Sequence, residues 1–257
     1  MKSSAEKLLK SIPHSHGDIE LQNHEVHLWL VSYRELYLQS ADMAEIISGV
    51  EKRRSERYRF LKDQQNYIFR HGVLRILIAR YMSIEPGDVR FRVGDYGKPH
   101  LDGMNKEHSF EFNISHSGDM LLLGFARGHR IGVDIEFNKP IEDMDAIIKT
   151  NFSHNEKLEF DSLPADKRLE AFYRGWTQKE AFVKALGDGL SRDLDQFDVS
   201  MTPGEPAALK RTAWDGVEAT RWTLETIQTV SGYSASVAME GTGLKFIRRE
   251  LSLGLWG

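Results

Sequence analysis

Cysteine is absent from the 257 residues, which excludes disulfides and thiolate metal sites and leaves the redox compartment undetermined. Long apolar runs are absent as well. No stretch approaches the roughly 20 apolar residues of a membrane span. The first 21 residues mix Lys, Ser, His and Glu without the apolar centre of a secretory signal, so a cytoplasmic protein that meets no membrane is expected. There is no basic excess: a formal charge of -4 argues against a dedicated nucleic-acid binder, and any anionic ligand must be met by local cationic clusters. No repeat is visible. What the chain has is 40% hydrophobic and 28% charged residues, the balance of one large folded domain or two modest ones, and ten histidines that keep metal chemistry open.

Residues 1–20 read as a polar lead-in, helical around 6–10, and residues 24–31 alternate as a strand. From 40 to 80 the pattern is helical with a break near Lys62 and Asp63, the second helix carrying the apolar stripe Ile68, Val73, Leu74, Leu77, Ile78 and Tyr81. Lys52, Arg53, Arg54, Arg57 and Arg59 stand between, readable equally as a solvated helix face or an anion-facing patch. A turn at 85–88, a strand over 88–93 and the tight turn Tyr96-Gly-Lys-Pro99, which would present Lys98, follow. A strand over 110–115 runs into Ser115-His-Ser-Gly118, which fits an ordinary hairpin turn or a phosphate-binding loop. Residues 120–126 are continuously apolar, as in a strand buried on both faces. Strand-like patterns return at 197–199, 221–230, 233–239 and 244–251. The chain therefore reads as α+β, with two halves, 21–129 and 130–257, packed against each other behind the lead-in.

Two acidic sites carry the chemistry. In the strand Gly132-Val-Asp-Ile-Glu136, alternation puts Gly132, Asp134 and Glu136 on one face and Val133 and Ile135 on the other. Paired carboxylates repel, and the pair reads either as an acidic solvent face or as a site for a hard cation, Mg²⁺ or Mn²⁺. The second site is Glu180, on a helix from about 166 to 186 whose stripe Leu169, Phe172, Tyr173, Trp176 and Val183 it interrupts, with Lys179 beside it and Lys184 one turn on. Taken alone, Glu180 reads as an edge-of-core ion pair; taken with Asp134 and Glu136, it completes a three-carboxylate set. Metal and lysines could neutralise a transferring phosphoryl group while one carboxylate takes a proton from an attacking hydroxyl.

Gly132-Val-Asp-Ile-Glu136 followed by Trp176-Thr-Gln-Lys-Glu-Ala-Phe-Val-Lys184 resembles the two signatures of the 4′-phosphopantetheinyl transferases of the Sfp type. Tyr96-Gly-Lys-Pro99, Phe112-Asn-Ile-Ser-His-Ser-Gly118, Gly187-Asp-Gly-Leu190 and Gly232-Tyr-Ser-Ala-Ser-Val-Ala238 resemble that family in the same order, from about His24 onward. The resemblance implies a pseudo-dimer of two α+β halves in one chain, hence a monomer, with coenzyme A between them. It implies transfer of the 4′-phosphopantetheine arm to a serine of an apo acyl, peptidyl or aryl carrier protein, releasing 3′,5′-ADP. Asp134, Glu136 and Glu180 resemble the ligands of Mg²⁺ (or Mn²⁺), Glu180 also resembles the serine-deprotonating base, and Lys184 and Lys179 resemble the lysines facing the pyrophosphate. Lys98, Ser115 and His116 resemble the contacts to the 3′-phosphoadenosine end, with Lys52 assisting. Where relatives often carry an arginine nine residues before the position of Arg75 this chain has Asn66, and an Arg-Gly pair is His71-Gly72, so Arg70 is the substitute candidate for the 3′-phosphate. The same equipment would also suit a metal-dependent hydrolase of nucleotide-type pyrophosphates, which turns over coenzyme A without a carrier, or a non-catalytic module that binds coenzyme A or a carrier.

Overall fold

The computed structural model describes residues 19–33, 40–94, 97–103, 110–187 and 193–251. The helix expected at 6–10, Tyr96, and the Asp-Gly-Leu part of the 187–190 motif lie outside these residues.

Alternating strands sort their side chains onto two cores. Strand β1 (Glu25–Ser32) runs antiparallel to β5 (Met120–Arg127), which runs antiparallel to β4 (Phe110–Ser117). On the far side β1 pairs in parallel with β11 (Lys245–Glu250), giving the order β11-β1-β5-β4. One face of this sheet, with Trp29, Val31, Leu121, Leu123, Phe125 and Phe112, meets helices α1 (Ser40–Ile46) and α3 (Leu61–Met82). The opposite face, with Val26, Leu28 and Leu122, meets Ile131, Val133 and Ile135 of β6 (Ile131–Phe137). Strand β6 belongs to a second antiparallel sheet, β6-β10-β9, with β10 at Tyr233–Glu240 and β9 at Trp222–Thr226. The layers are therefore helices, sheet, sheet, helix.

The final layer is α6 (Ala165–Leu186), which ends where Gly187 takes the left-handed conformation at φ 77°. Its Cα positions come so close to β6 that a Cβ on Gly132 would meet the Ala181 carbonyl. Gly132 thus does not leave open space above the strand; the helix fills it. Between β6 and α6 run α4 (Met144–Asn151) and α5 (His154–Ser162). After α6 come the short strands β7 (Phe197–Val199) and β8 (Leu209–Thr212). Capping boxes start α5, at Ser153 and Glu156, and α2 (Gly49–Ser55), at Ser48 and Glu51.

Two expectations are corrected. The 40–80 helical region is interrupted twice, at residues 47–48 between α1 and α2 and at 56–60 between α2 and α3, and Lys62 and Asp63 lie in the first turn of α3. The strand expected over 88–93 is only Phe91–Val93 (β2), paired with Pro99–Leu101 (β3), because Pro86–Asp88 forms a 3₁₀ turn. The end of the chain also crosses over: β11 follows the second sheet in sequence yet adds to the edge of the first. Among the described residues no helix is long and apolar enough to cross a membrane.

Candidate active site

Helix α6 is buried on nearly every side from Ala171 to Leu186, and the half-buried positions on that length are Trp176, Glu180 and Lys184. Their spacing of four residues makes one narrow stripe along the helix. That stripe forms a wall of a cleft of about 460 Å³, completed by Asp134 and Glu136 of β6 and by Ile114, Ser115 and His116 of β4. Ile114 and His116 also line a second hollow of about 520 Å³, bounded by Val50 and Arg54 of α2, Tyr67, Arg70 and His71 of α3, and Phe91 and Pro99 of the β2–β3 hairpin. The two hollows adjoin at β4, one acidic and one cationic and aromatic.

At the acidic end, Lys184 Nζ lies 2.5 Å from Asp134 Oδ1 and 3.1 Å from Ser115 Oγ, and Ser115 Oγ donates to the same carboxylate oxygen at 2.8 Å. Ser117 Oγ donates to Glu136 Oε2 at 2.7 Å. Burial pushes the carboxyl pKa of Asp134 up, against the pull of Lys184. Burial also raises Glu136 and Glu180, and repulsion between the carboxylates adds to both shifts. Glu180 makes no hydrogen bond among the described residues.

The chemistry of this set fits a hard divalent ion: three oxygen donors, raised proton affinities, and a buried Asp134 Oδ2 with no hydrogen-bond partner. As they stand, no three acidic or imidazole side chains among the described residues are arranged to hold an ion. Lys184 holds Asp134 Oδ1 and Ser117 holds Glu136 Oε2, which leaves Asp134 Oδ2 and Glu136 Oε1 as the oxygens of the pair without a hydrogen bond among the described residues.

At the cationic end Arg70 donates to His116 Nε2, and burial, then Arg70 and Lys184, push the His116 pKa down to about 4, so the ring is a neutral acceptor. His71 stacks on Tyr67 with centroids 4.1 Å apart and bonds Glu51 Oε1 at 3.0 Å. Glu51 also accepts from Arg75 Nε at 2.8 Å, and Arg75 Nη1 donates to the Pro86 and Val89 carbonyls at 3.1 and 2.9 Å. Burial would raise Glu51, but the hydrogen bonds from His71 and Ser48, aided by Arg75, bring it down to about 2.

Three expected contacts fall elsewhere. Lys179 is fully buried on the side of α6 away from the cleft, 2.8 Å from Glu156 Oε2 and donating to the Leu194 and Phe197 carbonyls at 2.7 Å each. One residue is about 100° of helix, enough to turn Lys179 from the cleft to the core when Glu180 faces the cleft. The amine of Lys98 donates to the Ile131 and Lys184 carbonyls at 3.1 and 2.9 Å, tying the β2–β3 hairpin to β6 and α6. Lys52 is exposed and off the lining, which takes Arg54 from the same helix. The sequence names Ser117 and His71 only within their motifs and gives no sign of their bonds to Glu136 and Glu51, nor of the cleft-facing position of Trp176, for which the i, i+4, i+8 spacing with Glu180 and Lys184 is the available signal.

Two sheets closing on a cleft, with carboxylates and a lysine at one end and arginine, histidine and aromatic rings at the other, fit the class of enzymes that act on phosphate-bearing ligands. Residues 32–126 match the N-terminal model of 4′-phosphopantetheinyl transferase, and residues 130–238 match the 4′-phosphopantetheinyl transferase superfamily. The chain is 32% identical over 226 residues to the 4′-phosphopantetheinyl transferase HetI of Nostoc, covering 88% of this chain and 92% of that one. It is 34% identical over 155 residues to Sfp of Bacillus subtilis (60% and 66% covered). It is also 29% identical over 224 residues to the human L-aminoadipate-semialdehyde dehydrogenase-phosphopantetheinyl transferase (82% and 71% covered). The chain belongs to the 4′-phosphopantetheinyl transferase family and is an enzyme of that activity.

Proposed function

We propose that the chain moves 4′-phosphopantetheine from coenzyme A to a serine hydroxyl of an apo acyl, peptidyl or aryl carrier protein, releasing 3′,5′-ADP. The observation that carries this reading is the single open stripe on α6, which sets Glu180 and Lys184 across from Asp134 in a cleft that adjoins, at His116, the hollow lined by Arg70. The adenosine and its 3′-phosphate would occupy the cationic hollow, with Arg70, Arg54 and His116 as its polar contacts. The pyrophosphate would then reach Lys184 and Ser115 at the acidic end.

The serine oxygen attacks the phosphorus that carries the pantetheine arm. The bond from that phosphorus to the oxygen bridging to ADP breaks, and the hydroxyl proton passes to Glu180. Burial and the neighbouring carboxylates raise the proton affinity of Glu180, the direction a base needs. Asp134, Glu136 and Glu180 would hold Mg²⁺ or Mn²⁺, which when bound supplies charge neutralisation to the pyrophosphate. Lys184 neutralises the transferring group, and Trp176 walls the reacting end against water. Positioning and charge account for most of such a reaction, and no covalent intermediate on the protein is needed.

The test is incubation with coenzyme A, Mg²⁺ and a panel of apo carrier proteins, followed by intact-mass measurement of each carrier. Modification of a carrier at one serine is expected. Unmodified carriers together with breakdown of coenzyme A would mark a pyrophosphate hydrolase instead.

A further inference from the structure

Strand β6 is hydrogen-bonded to β10 along one edge only, and β4, which runs beside its other edge, belongs to a different sheet. The free edge is closed by side chains. Val133 N donates to Asn113 Oδ1 at 2.9 Å, Ile135 N to Ser115 Oγ at 3.4 Å and Phe137 N to Ser117 Oγ at 3.1 Å. Three alternate residues of β4 thereby stand in for a main-chain ladder, satisfying groups that would otherwise be left without partners.

A serine hydroxyl has one proton to give and two lone pairs to offer. In Ser117 the amide of Phe137 takes a lone pair, and the proton goes to Glu136 Oε2 at 2.7 Å. The hydroxyl is thus fixed from both sides, and with it one oxygen of Glu136. The other oxygen, Oε1, has no protein hydrogen bond among the described residues. Ser115 repeats the arrangement one pleat earlier, accepting from Ile135 N and donating to Asp134 Oδ1. Asn113 belongs to the same seam yet touches neither carboxylate.

We propose that Ser117 is a positioning residue for Glu136: the seam between the sheets fixes its hydroxyl, and the hydroxyl aims the carboxylate into the cleft for a divalent ion. This rests on the metal reading above. Groups that orient a ligating carboxylate typically change metal affinity by 10–100-fold when removed.

The experiment is Mn²⁺ titration of the full chain, followed by electron paramagnetic resonance with and without coenzyme A, on wild type, Ser117→Ala, Ser117→Thr and Asn113→Ala, each checked for its melting temperature. Ser117→Ala is expected to weaken Mn²⁺ binding about 10-fold, and Ser117→Thr, which keeps the hydroxyl, to stay near wild type. Asn113→Ala is expected to lower the melting temperature and leave Mn²⁺ affinity unchanged. Wild-type affinity in Ser117→Ala, or an equal loss in Asn113→Ala, overturns the proposal, the second by showing that any loosening of the seam has the same effect. A wild-type chain that takes up no Mn²⁺ in either condition removes the metal reading itself, and the positioning role with it.

Discussion

Replacing Gly132 with alanine would put a methyl carbon 2.0 Å from the Ala181 carbonyl oxygen and 2.4 Å from the Ala185 amide nitrogen. Contacts under 3.0 Å are not tolerated by real Cβ atoms, so β6 and α6 must part by at least 1 Å. The obstructing atoms are backbone on a helix packed on its other sides by Phe152, Phe197 and Trp222, and no rotamer change relieves the clash. Overpacking of this kind costs about 1–3 kcal/mol, and backbone opposition places Gly132→Ala at the upper end. For a chain of this size that is a fall in melting temperature of about 6–12 °C. The same displacement draws Lys184 and Glu180 away from Asp134, and a 1 Å misplacement can cost about 100-fold in rate. Gly124→Ala is the comparator: its Cβ would meet only the side-chain tips of Val133 and Ile131, at 2.7 and 2.9 Å, so a smaller fall is expected. Calorimetry, with carrier modification assayed well below the transition, reads both effects. A Gly132→Ala protein melting within 2 °C of wild type and transferring within twofold of it would refute the claim that this glycine sets the spacing of the site.

Glu180→Gln keeps the shape of the side chain and removes the base, so transfer should fall by orders of magnitude while coenzyme A binding by equilibrium dialysis persists; unchanged transfer would take Glu180 out of the mechanism. Lys179→Met leaves Glu156 buried with its cation gone and should cost about 3–5 kcal/mol by urea unfolding. The KM for coenzyme A should stay near wild type in the folded fraction, whereas a large rise in KM would return Lys179 to the ligand. His27 is fully buried beside Tyr81, and burial, with the Arg249 charge nearby, pushes its pKa down from 6.5 to about 4. The unfolded chain then binds a proton that the native state refuses between these values, so this group costs stability as pH falls from 6.5 to 4, by about 3 kcal/mol in all. His27→Phe should flatten the difference in unfolding free energy between pH 7 and pH 4 by that order, and an unchanged pH slope would contradict the buried neutral assignment.

The elements that bear chemistry were legible because their signals are local. Strand alternation put Asp134 and Glu136 on the face opposite Val133 and Ile135, and β6 has that arrangement with Val133 and Ile135 in the inter-sheet core. Glu180 looked like a fault in an apolar stripe. In the structure the helix is buried almost all round, and Glu180 lies on its single open stripe instead. That same burial hid the fate of Lys179, because hydrophobic periodicity tells one face from another only when the other face is wet. The partner that explains Lys179, Glu156, lies 23 positions earlier, where it also closes the capping box of α5 with Ser153. Nor does any local pattern announce that β11 pairs with β1, since parallel partners from the two ends of a chain share no turn.

Charge arithmetic at the acidic end sets the order in which the ligands can come together. Asp134, Glu136 and Glu180 bring three carboxylates against one lysine; burial pushes the pKa of each up, and the neighbouring carboxylates add to this for Glu136 and Glu180. A pyrophosphate entering this end alone would add like charge where the local dielectric screens it poorly. A divalent ion held there would reverse the sign of that interaction and would share the Asp134 carboxylate with the ammonium of Lys184, 2.5 Å from Oδ1. The ammonium, its hold on Asp134 weakened, would then be available to the incoming phosphate. Ion and phosphate would therefore favour each other's binding through Lys184, and a Lys184→Met chain should lose that mutual support: Mn²⁺ affinity alone should rise or hold, while the gain in affinity on adding coenzyme A should shrink severalfold. Titrations of Mn²⁺ with and without coenzyme A on both proteins measure the coupling directly, and an undiminished gain in Lys184→Met would show that the lysine takes no part in it.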